Sequence, residues 1–191
     1  MVDFPELYFL RHGQTYWNAE GRMQGRLNSS LTSLGRKQAE RQGEILASLD
    51  LSGFEAICSP QGRAFETAAI AVAPILPMIR TDPRLCEIDV GDWQGKLREG
   101  LWPDGQLDDG PDGPLAVYEN APGGEGFAGL EQRCADFLRS LQGPSVIVTH
   151  GITSRMLRSL VLGLGTAGVK QMPGGQGNVF HLSNGEQRQL N

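Results

Sequence analysis

Leu7-Tyr8-Phe9-Leu10-Arg11-His12-Gly13-Gln14-Thr15 and Ser145-Val146-Ile147-Val148-Thr149-His150-Gly151-Ile152-Thr153 share one pattern, a short apolar run followed by His-Gly-x-Thr. Each run is too short for a helix and suits a strand covered on both faces, as in a parallel sheet. Two of the chain's three histidines fall at these matching strand ends. Ligands of open α/β sheets bind outside the carboxyl ends of the strands. If the two strands are parallel neighbours, both imidazoles meet in one crevice. The glycine after each lets the backbone approach a ligand closely.

The rest of the chain alternates in the same way. A helix is expected from Thr32 to Leu49, capped by Thr32 or Ser33, and a strand from Phe54 to Cys58. Pro60 suits the first turn of a second helix, which runs through Arg63 to Ala73. Pro77 to Thr81 reads as a weak strand. Phe127, Leu130, Cys134, Phe137, Leu138 and Leu141 keep helical spacing up to Gly143-Pro144. A helix from Ile152 to Leu162 and a strand from Val179 to Leu182 complete the pattern. This order predicts an α/β fold, a three-layer α/β/α sandwich with a mainly parallel central sheet. Residues 1–191 read as a single domain. A Gly/Pro/Asp-rich excursion at about 96–126 contains Asp104, Asp108, Asp109 and Asp112. Trp93, Trp102 and Tyr118 do not suit a solvated tether, so this segment is expected to cover part of a site.

Composition narrows the function. Of 191 residues, 17 are Lys or Arg and 22 are Asp or Glu, a net charge of −5. That argues against a broad basic footprint for nucleic acid or an anionic membrane. No run approaches the 18 apolar residues of a membrane span, and Met1 to Glu6 shows no basic lead into an apolar core. A cytoplasmic location is the expectation. Cys58, Cys86 and Cys134 are scattered without a CxxC and read as small buried hydrophobes.

A net-acidic chain that handles phosphate must do so with a few focused arginines. Arg11 adjoins His12, and Arg63 follows the second strand at the same edge of the sheet. Guanidinium forks bind phosphate oxygens bidentately, and a helix starting near Ile152 offers N–H groups to an anion. His181 has no such company and reads as structural. Two histidines make an incomplete zinc site and flanking arginines repel a cation, so neither metal nor cofactor is expected. No GxSxG is present to supply a serine nucleophile.

Leu10-Arg11-His12-Gly13-Gln14-Thr15-Tyr16-Trp17-Asn18 resembles the signature of the histidine phosphatase superfamily, whose relatives include the cofactor-dependent phosphoglycerate mutases. Gly21-Arg22-Met23-Gln24-Gly25, Leu31-Thr32, Gly35 and Gln38-Ala39 continue it in register. Ser59-Pro60 with Arg63, Thr67 and Ala68 is similar to its second motif. Glu87-Ile88-Asp89-Val90-Gly91-Asp92-Trp93-Gln94-Gly95 resembles its acid-bearing motif, and Val148-Thr149-His150-Gly151 its last. The resemblance implies a phosphoglycerate mutase-like fold and makes His12 the nucleophile that becomes phosphorylated. It implies that Arg11, Arg63 and His150 hold phosphoryl oxygens, and that Asn18, Gln24 and Gly151 line the phosphate pocket. Glu87 would protonate the leaving oxygen and then help to activate water, so it must hold a proton near neutral pH. The arginines should keep His12 neutral and nucleophilic. Gly123-Gly124-Glu125 resembles the family's Gly-Gly-Glu, with Gly126 where a serine is usual. Glu125 then either serves the site or favours the following helix N-terminus.

The implied reaction is metal-independent hydrolysis of a small phosphorylated metabolite through a phosphohistidine. Sugar phosphates, nucleotide monophosphates, a ribazole phosphate, phosphoglycerates and phosphoproteins all remain open as substrates, and oligomeric state is unassigned. Mutase-type phosphoryl transfer is the alternative within the family. It needs extra basic residues at the mouth, and the segment from Glu99 to Gly126 contains no Lys or Arg. The acidic, Trp-bearing excursion suggests a leaving group of lower charge. A binding module without turnover is the alternative of another class.

Overall fold

The computed structural model describes residues 4–101 and 115–191. Trp102, Asp104, Asp108, Asp109 and Asp112 of the excursion lie outside the described residues, as do Met1 to Asp3. The elements run β1 (Leu7–Arg11), α1 (Tyr16–Ala19), α2 (Ser33–Ala47), β2 (Glu55–Cys58), α3 (Gly62–Ala71), β3 (Ile79–Thr81), α4 (Ala116–Glu119), α5 (Gly126–Arg139), β4 (Ser145–Thr149), α6 (Gly151–Val161), β5 (Val179–Ser183) and β6 (Glu186–Leu190). They form one six-stranded sheet in the order β3-β2-β4-β1-β5-β6. The first four strands are mutually parallel, and β5 and β6 are added antiparallel.

β1 and β4 are neighbours in register, with Arg11 opposite Thr149, so His12 and His150 leave the sheet side by side. Strand alternation sorts the apolar residues into two cores. Leu7, Phe9, Ile57, Ile147 and Phe180 face α5 and α6, meeting Leu130, Phe137, Met156 and Leu157. Tyr8, Leu10, Ala56, Val146 and Val148 face α2 and α3, meeting Leu46, Ala64 and Ala68. Helices on both faces make the three layers, and each fully buried Leu or Phe contributes roughly 1.5–3 kcal/mol.

Thr32 caps α2 through its Oγ1, which accepts from Gly35 N at 3.0 Å. Pro60 is not part of α3. That helix begins at Gly62 with Gln61 as its cap, and the Gln61 N–H is held by Ser59 Oγ at 3.3 Å. The hairpin partner β6 is an addition to the sequence-based reading. Asn184 and Gly185 both take positive φ, 52° and 74°, as a tight two-residue turn requires. All three cysteines are free and buried, and burial pushes the Cys58 and Cys134 thiols up to about 11 and 12. Among the described residues no helix is long and apolar enough to cross a membrane.

Candidate active site

His12 sits at the carboxyl end of β1, 2% exposed. Its Nδ1 lies 2.7 Å from Gly13 O. A carbonyl only accepts, so Nδ1 carries the proton and Nε2 of the neutral ring keeps its lone pair. Arg63 Nε–H points at that lone pair from 3.3 Å. Burial first, then the Arg63 and Arg11 charges, hold the His12 pKa well below its ordinary value of 6.5. The neutral state expected from the arginines is thus present, with desolvation its larger cause.

The loop carrying His12 is set by a close backbone crossing. A Cβ on Gly13 would stand 2.1 Å from Gly35 O, and one on Gly35 would stand 2.1 Å from Gln14 O. Only two facing glycines let α2 press its first turn onto the loop that carries His12.

Arg63 opens α3 and is 1% exposed. Its Nη1 donates to Leu27 O at 2.6 Å and its Nη2 to Gly25 O at 3.0 Å. Burial lowers its pKa to about 10, which leaves it a cation at neutral pH. Arg11 has a buried Nε with no partner. Its guanidinium lies against Gly151, where a Cβ would come within 3.2 Å of Cζ. Burial lowers the Arg11 pKa, and the Glu87 charge opposes that.

His150 is the N-cap residue of α6 and fully buried. Its ring stands edge-on to that of His12, with centroids 5.1 Å apart. Its Nε2 is 2.8 Å from Ser59 Oγ, and its Nδ1 has no partner among the described residues. Burial, Arg63, His12 and Arg11 push its pKa well below the ordinary value.

Glu87 corrects one expectation. The first N–H groups of α6 are not left free for a ligand, because Ile152 N and Thr153 N donate to the Glu87 carboxylate at 3.2 and 3.1 Å. The Glu87 side chain fills the place at the helix N-terminus that a ligand oxygen was expected to take. Glu125 is drawn elsewhere. It is bound by Arg133 at 2.8 and 2.9 Å, and it accepts from Asp89 N at 2.7 Å. It anchors the loop that carries Glu87 and lies outside the pocket lining. Asp89 shapes the same loop by accepting from Gly91 N at 2.8 Å.

Arg11, His12, Asn18, Gln24, Arg63 and Glu87 line one small cavity of about 80 Å³. Gln24 Nε2 donates to Thr15 Oγ1 at 2.8 Å, while its buried Oε1 has no partner. His150 and Gly151 are not among its lining residues; the His150 ring adjoins that of His12 edge-on, and Gly151 lies against the Arg11 guanidinium. Arg22, Arg98 and Tyr118 line it too, and Arg11, Asn18, Arg22 and Arg98 also line an outer basin of about 800 Å³. The expectation of a mouth without basic residues is therefore corrected: Arg22 and Arg98 stand where the inner cavity opens outward. Neither lies in the 99–126 segment. The bridge between Arg22 and Leu97 brings their two loops together, and Arg98 donates to Tyr118 Oη. Gln176, from the turn before β5, lines the basin and donates to His12 O and Asn18 Oδ1, both at 3.2 Å. None of these four residues follows a strand end, the position that singles out Arg11 and Arg63, and the segments that carry them have no periodicity that would place them at the site.

A family model of the histidine phosphatase superfamily, branch 1, matches residues 7–190. The chain belongs to that superfamily. As a histidine phosphatase superfamily member it is 33% identical over 170 residues to a probable phosphoglycerate mutase of Proteus mirabilis, covering 83% of this chain and 75% of that one. It is 32% identical to a mycobacterial glucosyl-3-phosphoglycerate phosphatase solved with VO3, with a TM-score of 0.73 and coverage of 97% and 96%. A Thermus thermophilus structure is 30% identical, with a TM-score of 0.72 and coverage of 97% and 96%.

Proposed function

We propose that this histidine phosphatase is a metal-independent phosphomonoesterase that acts on a small phosphorylated metabolite through a phosphohistidine on His12. One observation carries the reading. A neutral, buried imidazole keeps its Nε2 lone pair beside the Arg63 guanidinium, in a cavity that also holds Arg11 and a carboxyl group. The VO3-bound phosphatase relative supports it.

In the first step Nε2 attacks phosphorus and the ester P–O bond breaks, while Glu87 gives its proton to the departing oxygen. In the second, Glu87 takes a proton from water, the water oxygen attacks phosphorus and the P–N bond breaks to release phosphate. Imidazole is both nucleophile and leaving group, so two accessible displacements replace one difficult one. The arginines stabilise charge on the equatorial oxygens. Of the Glu87 oxygens, Oε1 accepts from Ile88 N, Thr153 N and Thr153 Oγ1, whereas among the described residues Oε2 accepts from Ile152 N alone. Oε2 is the oxygen with room for the transferred proton.

Arg22 and Arg98 favour a second reading, phosphoryl transfer between two anionic acceptors as in a mutase. One assay separates the two. Phosphate release is measured with chelator present, for the native chain and His12→Ala, from 3-phosphoglycerate, a ribazole phosphate and p-nitrophenyl phosphate. Phosphoglycerate isomerisation is followed in parallel. Chelator-resistant release lost in the variant is expected. Isomerisation without release would establish the mutase, and neither activity would overturn both readings.

A further inference from the structure

We infer that Ser59 sets the tautomer of His150, so that this ring offers an N–H to the transferring phosphoryl group while the His12 ring offers a lone pair. The catalytic part of the inference rests on the phosphohistidine reading; the tautomer does not.

The two rings follow identical motifs yet have different neighbours. His12 Nδ1 is held by a carbonyl, which fixes its proton there. His150 meets a hydroxyl instead, with Ser59 Oγ 2.8 Å from Nε2. A hydroxyl can donate or accept, so its other contacts decide. Ser59 Oγ already accepts from Gln61 N at 3.3 Å and has one proton to place. The choices are His150 Nε2 at 2.8 Å and Cys86 Sγ at 3.8 Å. A thiol sulfur is a weak acceptor, and the nitrogen is at ordinary hydrogen-bond length. Ser59 therefore donates to Nε2, and the proton of neutral His150 lies on Nδ1.

That Nδ1 is the buried ring atom without a protein partner. An N–H left unpaired beside a nucleophilic ring, with centroids 5.1 Å apart, is suited to an oxygen of the group that His12 accepts. The opposite tautomer would turn a lone pair toward phosphoryl oxygens and repel them. Both histidines thus carry the proton on Nδ1 but are turned opposite ways. Ser59 never touches substrate and is a positioning residue.

The test is side-chain ¹⁵N NMR at pH 8 on histidine-labelled native protein, Ser59→Ala and Ser59→Thr. Signals are assigned with His12→Asn and His150→Gln. The native His150 spectrum should show a protonated Nδ1 and a bare Nε2. Ser59→Ala should release the ring toward the Nε2–H form that histidine favours in water. It should lower kcat/KM on the order of 100-fold, the scale of one lost donor to developing charge. Ser59→Thr should restore both, with His12 signals unchanged throughout. A protonated Nε2 in the native protein overturns the inference even if Ser59→Ala fails to fold. An unchanged tautomer in folded Ser59→Ala does the same. If native protein releases no phosphate and orthovanadate leaves the His12 signals unmoved, the phosphohistidine reading falls instead, and the NMR assignment still decides the tautomer.

Discussion

His12 and His150 are buried neutral, and that makes acid a specific denaturant of this fold. The perturbation is a change of pH from 8 to 5. In the unfolded chain each imidazole titrates near its ordinary value of about 6.5. In the native state burial and the neighbouring arginines keep both rings unprotonated well below that. Below about pH 6.5 the unfolded state therefore binds up to two more protons, so stability rises with pH through this window and is lost as pH falls. A ring that stays neutral down to pH 5 contributes about 2 kcal/mol by linkage there, so the pair contributes up to about 4 kcal/mol, a large share of a typical 5–15 kcal/mol. The assay is urea unfolding in phosphate-free buffer at several pH values, for the native chain and a His12→Asn/His150→Gln variant. Asn reproduces the Nδ1–H donor to Gly13 O, and Gln reaches the Nε2 position beside Ser59. His181 and every carboxyl group are common to both proteins and cancel in the difference. The native chain should lose up to about 4 kcal/mol more than the variant between pH 8 and 5. Curves that stay parallel to within about 1 kcal/mol would refute the reasoning.

Three further outcomes follow from the geometry. Gly35→Ala forces a methyl to within 2.1 Å of Gln14 O, a backbone atom, and should cost about 1–3 kcal/mol by thermal melt while displacing the His12 loop and reducing turnover. Arg98→Ala should raise KM by about tenfold for a phosphomonoester bearing a second anionic group, a loss of about 1.4 kcal/mol, and much less for p-nitrophenyl phosphate; equal changes would remove Arg98 from selectivity. Gln176→Ala should lower kcat/KM by about tenfold, in line with one hydrogen bond of about 1–1.5 kcal/mol, and should cost less in an Asn18→Ala background, where its bond to His12 O remains and its bond to Asn18 Oδ1 is already gone. Additive losses would place its action elsewhere.

What could be read from the amino acids follows from distance along the chain. His12 and His150 each end an apolar run, and parallel pairing of those runs is enough to bring them together. Arg63 was legible because it follows β2 directly. Arg22 and Arg98 were not, since what joins them is a bridge between two loops with no periodicity of their own. The free helix N-terminus at Ile152 was misread because its occupant, Glu87, arrives from 65 residues away. β6 was missed although Asn184-Gly185 marks a hairpin. Its residues Glu186-Gln187-Arg188-Gln189-Leu190 show no apolar alternation, since an outer strand with exposed faces needs none.

That same polarity has a consequence for how copies of the chain behave toward one another. A sheet presents unpaired N–H and C=O groups only along its two outermost strands, and such borders recruit other strands. Here one border is β3, three residues long and carrying Arg80, and the other is β6, with Glu186 and Arg188. A brief strand on one side and a charged one on the other leave no apolar border for another sheet to extend. The antiparallel pair β5–β6 thereby separates the strand that carries His12 from the border of the sheet, and keeps it from serving as a template for aggregation.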